Sequence, residues 1–262
     1  MTTDQQTQVN PAGPDPTFDW KAWRLDGGRT AAAACVLAYA VALWGQGGSL
    51  RWAGVAVGVE TVLVGLPWRV PRRRRSGPSF WAETSAGMLV PVGAAVLAVV
   101  SGPSWFGDSP AWWWYPLGAA AGIALVLLGG MNLRALVSGD LAFLYGPTPR
   151  PQALARVTTS LLSPTGEEVV FRGTYLAAPA VAAGPLGLLA AAAFVARHHI
   201  APGANRRGSA RATVTEVSAA AVLLGLTVAS GSILPALVAH VVNNAPSIVF
   251  ELQREHDEGG TP

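Results

Sequence analysis

The sequence predicts an all-α membrane protein: a polytopic helix bundle of about eight transmembrane helices, with both termini in the cytoplasm. Three observations predict it. Of 262 residues, 51% are hydrophobic and only 13% are charged, about half of the roughly 25% charge that soluble domains carry. The apolar residues fall into runs long enough to cross ~30 Å of hydrocarbon as helices. Between those runs, arginine-rich loops alternate with arginine-poor ones, the asymmetry that orients a membrane protein.

Taken in order, residues 1–19 are rich in Thr, Gln, Pro and Asp. No basic stretch leads from them into an early apolar core, so they predict a disordered tail and no cleavable signal. Apolar runs follow near 30–46, 52–68, 80–101, 112–130, 165–182, 184–200, 212–229 and 232–251. Residues 152–162, QALARVTTSLL, predict a short interfacial or partly buried helix, broken at Pro164 and Gly166 before the fifth run. The chain therefore divides into a cytoplasmic tail (1–29), four anchoring spans (30–150), four spans that hold the unusual polar residues (151–252) and a polar C-terminal tail (253–262).

The loops justify the count. Lys21, Arg24 and Arg29 precede the first run, and Arg72, Arg73, Arg74 and Arg75 separate the second from the third. Arg134, Arg150 and Arg156 follow the fourth, Arg197, Arg206, Arg207 and Arg211 follow the sixth, and Arg254 follows the eighth. The remaining loops hold only Arg51. Tryptophans such as Trp44, Trp52, Trp68, Trp81, Trp105 and Trp112 sit at run ends, where a headgroup layer favours an amphipathic ring. All ten tryptophans precede residue 115. The net charge of +3 comes in these topological blocks, which argues for a lipid bilayer as partner and against nucleic acid. Cys35 is alone, so there is no disulfide framework. The arginine, alanine and glycine bias suggests a bacterial plasma membrane protein.

Ionisable groups inside hydrocarbon cost at least ~2.5 kcal/mol each on insertion scales and need a partner or a function. Three places in the second half carry them. In EEVVFR, Glu168 and Arg172 stand i, i+4 on one helical face with the acid on the favourable side. Glu167 projects about 100° away and is left for other work. In FVARHH, His198 lies one turn after Phe194 near the cytoplasmic end of the sixth run, and His199 points elsewhere. In HVVNN, His240 and Asn244 share a face of the eighth run. Each has a plain structural reading: a buried ion pair, an interfacial histidine, a helix–helix hydrogen bond. Together, a carboxylate, two imidazoles and an amide are what water activation and oxyanion stabilisation require. Glu60 in the second run is an acid without an evident partner, and Glu216 reads as interfacial.

EEVVFR, FVARH and HVVNN resemble, in order, the EExxxR, FxxxH and HxxxN motifs of the CPBP (Abi) family of intramembrane proteases, related to type II CAAX prenyl endopeptidases. The resemblance covers about residues 150–250. It implies an intramembrane endopeptidase acting on a peptide or membrane-protein substrate, in a cavity open to the cytoplasm. It implies that Glu167 and His198 activate water, that His240 and Asn244 steady the oxyanion, and that Glu168 and Arg172 support them. One Zn2+ held by Glu167, His198 and His240, or no metal at all, are both compatible with it. Other intramembrane protease signatures do not fit: no HExxH occurs, and VASG at Val228–Gly231 has Val228 where a GxSG motif has glycine. Two readings from other classes stand beside the protease: a non-catalytic membrane interaction or immunity protein, and a transporter subunit. A protease predicts one tight polar cluster. A transporter predicts polar groups strung through the membrane, Glu60 among them.

Overall fold

The computed structural model describes residues 27–65, 78–200 and 210–256. The N-terminal tail, the Arg72–Arg75 run, Arg206, Arg207 and the last six residues lie outside them. The described chain is all-α apart from one two-residue pairing. Its helices are α1 (Gly27–Gln46), α2 (Gly48–Gly65), α3 (Pro78–Ser101), α4 (Trp114–Gly129), α5 (Leu133–Val137) and α6 (Asp140–Tyr145). Then come α7 (Arg150–Glu168), a π-helical turn (Val169–Gly173), α8 (Thr174–Ala177), α9 (Ala180–Arg197), α10 (Ala210–Ser230) and α11 (Leu234–Gln253). Strands β1 (Thr148–Pro149) and β2 (Glu255–His256) pair in parallel and tie the start of α7 to the end of α11.

Three helices are long and apolar enough to cross a membrane: α1, α9 and α10. Two apolar segments, Gly87–Ser101 and Trp114–Gly129, are shorter. The expected eight spans thus reduce to three by this measure among the described residues. Helices α2 and α11 have the length but carry Arg51 and Glu60, and His240, Asn243, Asn244 and Glu251. The outer surface fits a lipid solvent: Val99 is 79% and Leu188 71% exposed, while Glu60, Glu168, Arg172 and His240 are buried inside. This inversion is stable only where hydrocarbon surrounds the bundle and each inner polar group has a partner.

The expected break at Pro164 does not occur. Helix α7 runs through it, and helical backbone continues to Ala177. Proline removes the N–H that would bond the carbonyl four residues back. That carbonyl belongs to Ser160, and Asn244 Nδ2 donates to it at 3.4 Å. A neighbouring helix thus supplies the partner that the proline takes away. The real interruption is at Ala178, whose extended backbone precedes Pro179 and separates α8 from α9.

Helices α7 and α4 both pack on α11; α3 packs on α7, and α1 on α2 and α9. Small residues make the closest contacts. Gly118 and Gly122, spaced as in GxxxG, let α4 approach the backbone of α11: a Cβ at these positions would meet Pro235 O and Ala239 O at 2.4 Å. A Cβ on Gly166 would lie 2.2 Å from Pro91 Cα of α3. The two residues next to these contacts are His240 and Glu167.

Candidate active site

The π turn begins immediately after Glu167 and Glu168. Such turns widen a helix by one residue per turn and frequently occur at functional sites, because they release backbone groups and re-aim side chains. Here the released carbonyl of Val170 accepts the phenolic hydroxyl of Tyr39 from α1 at 2.6 Å. The Tyr39 hydroxyl oxygen also lies 2.6 Å from Thr174 Oγ1, and the Tyr39 ring stacks on Phe171 with centroids 5.7 Å apart. The first helix therefore holds the turn that carries the first motif.

Glu168 and Arg172 form the pair expected from their spacing: Arg172 Nη1 donates to Glu168 Oε1 at 3.3 Å, with both side chains buried. The guanidinium also lies 4.2 Å from the centre of the Phe194 ring, where the ring quadrupole favours a cation. Glu168 has a second partner. His240 Nδ1 lies 2.7 Å from Glu168 Oε1, so the first and third motifs are joined directly.

Glu167 is not left free. Ser163, one turn earlier, donates to its Oε1. Arg197 Nη1 donates to the same oxygen at 2.9 Å. Glu167 Oε2 faces His240 Nε2 at 3.7 Å. The sequence places Arg197 among the loop arginines; the structure turns it inward at the end of α9, where it also pairs with Glu60 of α2. Glu60 thus has its partner, and it belongs to the cluster. The nearest signal in the sequence was a single buried acid in the second run, with nothing to connect it to residue 197.

His198 caps α9, and its Nδ1 lies 2.8 Å from the carbonyl oxygen of Phe194. In the neutral ring Nδ1 donates there, which leaves Nε2 as an acceptor. A cavity of about 120 Å³ is lined by Phe194, His198, Glu216, His240, Asn243 and Asn244. Glu167 is not among the lining residues, but its Oε2 approaches His240 Nε2, which is. Glu216, read from sequence as interfacial, lines this cavity, and its Oε2 lies 2.8 Å from His199 Nε2.

The structure therefore brings Glu167, Glu168, Arg172 and His240 into one network, and His198, His240 and Asn244 onto one cavity wall. It does not assemble a metal site. Among the described residues no three His, Cys, Asp or Glu side chains converge on a point where a metal ion could be held. The candidate zinc ligands are otherwise engaged: Glu167 Oε1 by Ser163 and Arg197, and His240 Nδ1 by Glu168.

One family model matches the chain. It is described as type II CAAX prenyl endopeptidase Rce1-like and covers residues 149–246, a segment containing all six candidate side chains. No curated protein and no solved structure matches.

Proposed function

We propose, from the match of residues 149–246 to the family model described as type II CAAX prenyl endopeptidase Rce1-like, that this chain is an intramembrane endopeptidase. Its general base is Glu167. A water bound between Glu167 Oε2 and His198 Nε2 gives a proton to the carboxylate, and the resulting hydroxide attacks the scissile carbonyl carbon. The carbonyl oxygen becomes an oxyanion, which takes hydrogen bonds from Asn244 Nδ2–H and His240 Nε2–H. Glu167 then returns its proton to the amine as the C–N bond breaks. Water is consumed, and a carboxyl and an amine are released.

His240 serves as donor at Nε2 only when its ring carries both protons, because Nδ1–H is directed at Glu168 Oε1. Around it, Glu60, Glu167 and Glu168 bring three carboxylates, while Arg172 and Arg197 bring two guanidiniums.

The observation that carries this reading is the 3.7 Å approach of Glu167 Oε2 to His240 Nε2, beside a cavity lined by His198 and Asn244. The gathering of Glu60 into the same cluster supports hydrolysis over a transport path strung through the membrane. The reading includes a cavity that opens to the cytoplasm, so a reporter fused near Asp108 should read outside. The decisive experiment is quantitative peptide profiling of membranes carrying wild type or Glu167→Gln. Peptides that accumulate only with wild type are the expected result; identical profiles from equally abundant proteins reject the assignment.

A further inference from the structure

Glu60 and Arg197 belong to none of the three motifs, yet they form the most direct link between the first helices and the candidate base. Arg197 stands one residue before His198. The Nε and Nη2 edge of its guanidinium faces Glu60 Oε1 on α2. Its Nη1 donates to Glu167 Oε1 at 2.9 Å. The side chains are only 15% (Arg197), 4% (Glu60) and 6% (Glu167) exposed, so water screens these contacts little. A planar guanidinium held on two edges by two carboxylates has its orientation fixed by both. Ser163 adds a further donor to Glu167 Oε1. That oxygen is therefore saturated, and Oε2 is the one turned toward His240.

We infer that Glu60 and Arg197 are positioning residues for hydrolysis: a clamp, half of it supplied by the N-terminal helices, that fixes Glu167 so that Oε2 meets the water. This rests on the endopeptidase reading above. Glu60 holds Arg197 in place, and Arg197 holds Glu167. Without Glu60, Arg197 and Glu167 still pair, but they can shift together. A displacement of about 1 Å at a reacting group can lower a rate by about 10²-fold. The conservative change Glu60→Gln separates this role from a structural one. It leaves the Arg197 guanidinium paired with the Glu167 carboxylate, so the fold should persist.

The test uses full-length protein in detergent and a quenched fluorogenic peptide spanning the site that membrane profiling identifies. Glu60→Gln and Arg197→Lys should lower kcat by about 10- to 100-fold with KM changed less than about twofold. Glu60→Asp should recover part of the loss. Wild-type kcat in a folded Glu60→Gln protein overturns the clamp, whereas a wild type that cleaves nothing overturns the endopeptidase reading instead. An infrared measurement decides the clamp in either case. The Glu167 carboxylate stretch is assigned by subtracting the Glu167→Gln spectrum. It should shift in Glu60→Gln at unchanged helix content, and an unmoved band rejects the inference. Should Arg197→Lys fail to fold, the two Glu60 variants carry the same test.

Discussion

Up to residue 130, the buried ionisable side chains among the described residues are Arg29, Tyr39 and Glu60; from residue 150 onward they include Glu167, Glu168, Arg172, His240, Glu251 and Arg254. The first region is otherwise an apolar scaffold with valines and tryptophans on its outer surface. The second concentrates charge where hydrocarbon makes it most expensive. The difference is not that one region is structural and the other chemical. All three of these groups reach across into the second: Arg29 to the carbonyl of Ile200, Tyr39 to the π turn, and Glu60 to Arg197. A charged network in low dielectric needs partners on every side, and a half-bundle cannot surround itself.

The change expected to matter most lies wholly in the second region. Glu167→Gln should leave Arg197 paired with Glu60 and so keep the fold. An amide cannot take a proton from water, so hydrolysis should fall by about 10²- to 10⁴-fold. Peptide cleavage and thermal unfolding on the same preparation check this. Cleavage at wild-type rate would remove Glu167 from the mechanism.

Glu168→Gln should do the reverse, acting on the fold first. Glu168 accepts from Arg172 and faces His240 through one buried oxygen. Losing its charge strands the guanidinium at a cost of about 3–5 kcal/mol. Adding Arg172→Gln should restore part of the lost melting temperature, since no net charge then remains unpaired. His240 still lacks its carboxylate in the double variant, so activity should stay low. Recovery of both stability and activity would show that Glu168 serves only Arg172.

Gly122→Val tests how the first region sets the second. The new side chain would run into Ala239 O, adjacent to His240. Overpacking of this kind costs up to about 3 kcal/mol. It should reduce activity beyond what the lost stability explains, as the ratio of kcat to folded fraction would reveal. An unchanged ratio would mean that α4 only anchors.

How much of this could be read from sequence follows from the same physics. Glu168 with Arg172, and His240 with Asn244, are neighbours within one helix, and helical spacing alone puts them on a common face. The segment that matches the endopeptidase family model, residues 149–246, likewise contains the three short local motifs. What spacing cannot reveal is contact between helices. Residues 60 and 197 lie 137 positions apart, and nothing local distinguishes an inward arginine at a helix end from one in a cytoplasmic loop. Pro164 misled for a related reason. Its helix-breaking tendency is local, but the partner that offsets it, Asn244, comes from α11. The π turn was invisible because its register depends on Tyr39 satisfying a carbonyl from another helix.

The smallest expected effect probes that last contact. Tyr39→Phe keeps the ring, and hence its stacking on Phe171, and deletes only the hydroxyl. The carbonyl of Val170 and the hydroxyl of Thr174 then lose a shared partner in a site closed to water. An unsatisfied buried acceptor costs about 1–3 kcal/mol; the expectation here is at the lower end, because Thr174 can turn toward its own helix. If the first region is an inert anchor, Tyr39→Phe should resemble Val99→Leu, a change on the lipid-facing surface with no expected effect on stability or rate. If Tyr39 holds the π turn in register, its loss should lower the melting temperature modestly. It should also lower kcat, because Glu167 and Glu168 directly precede the turn. Thermal unfolding and kcat measured on the two variants side by side decide between these outcomes. Identical behaviour would return the N-terminal helices to the role of membrane anchor at this contact.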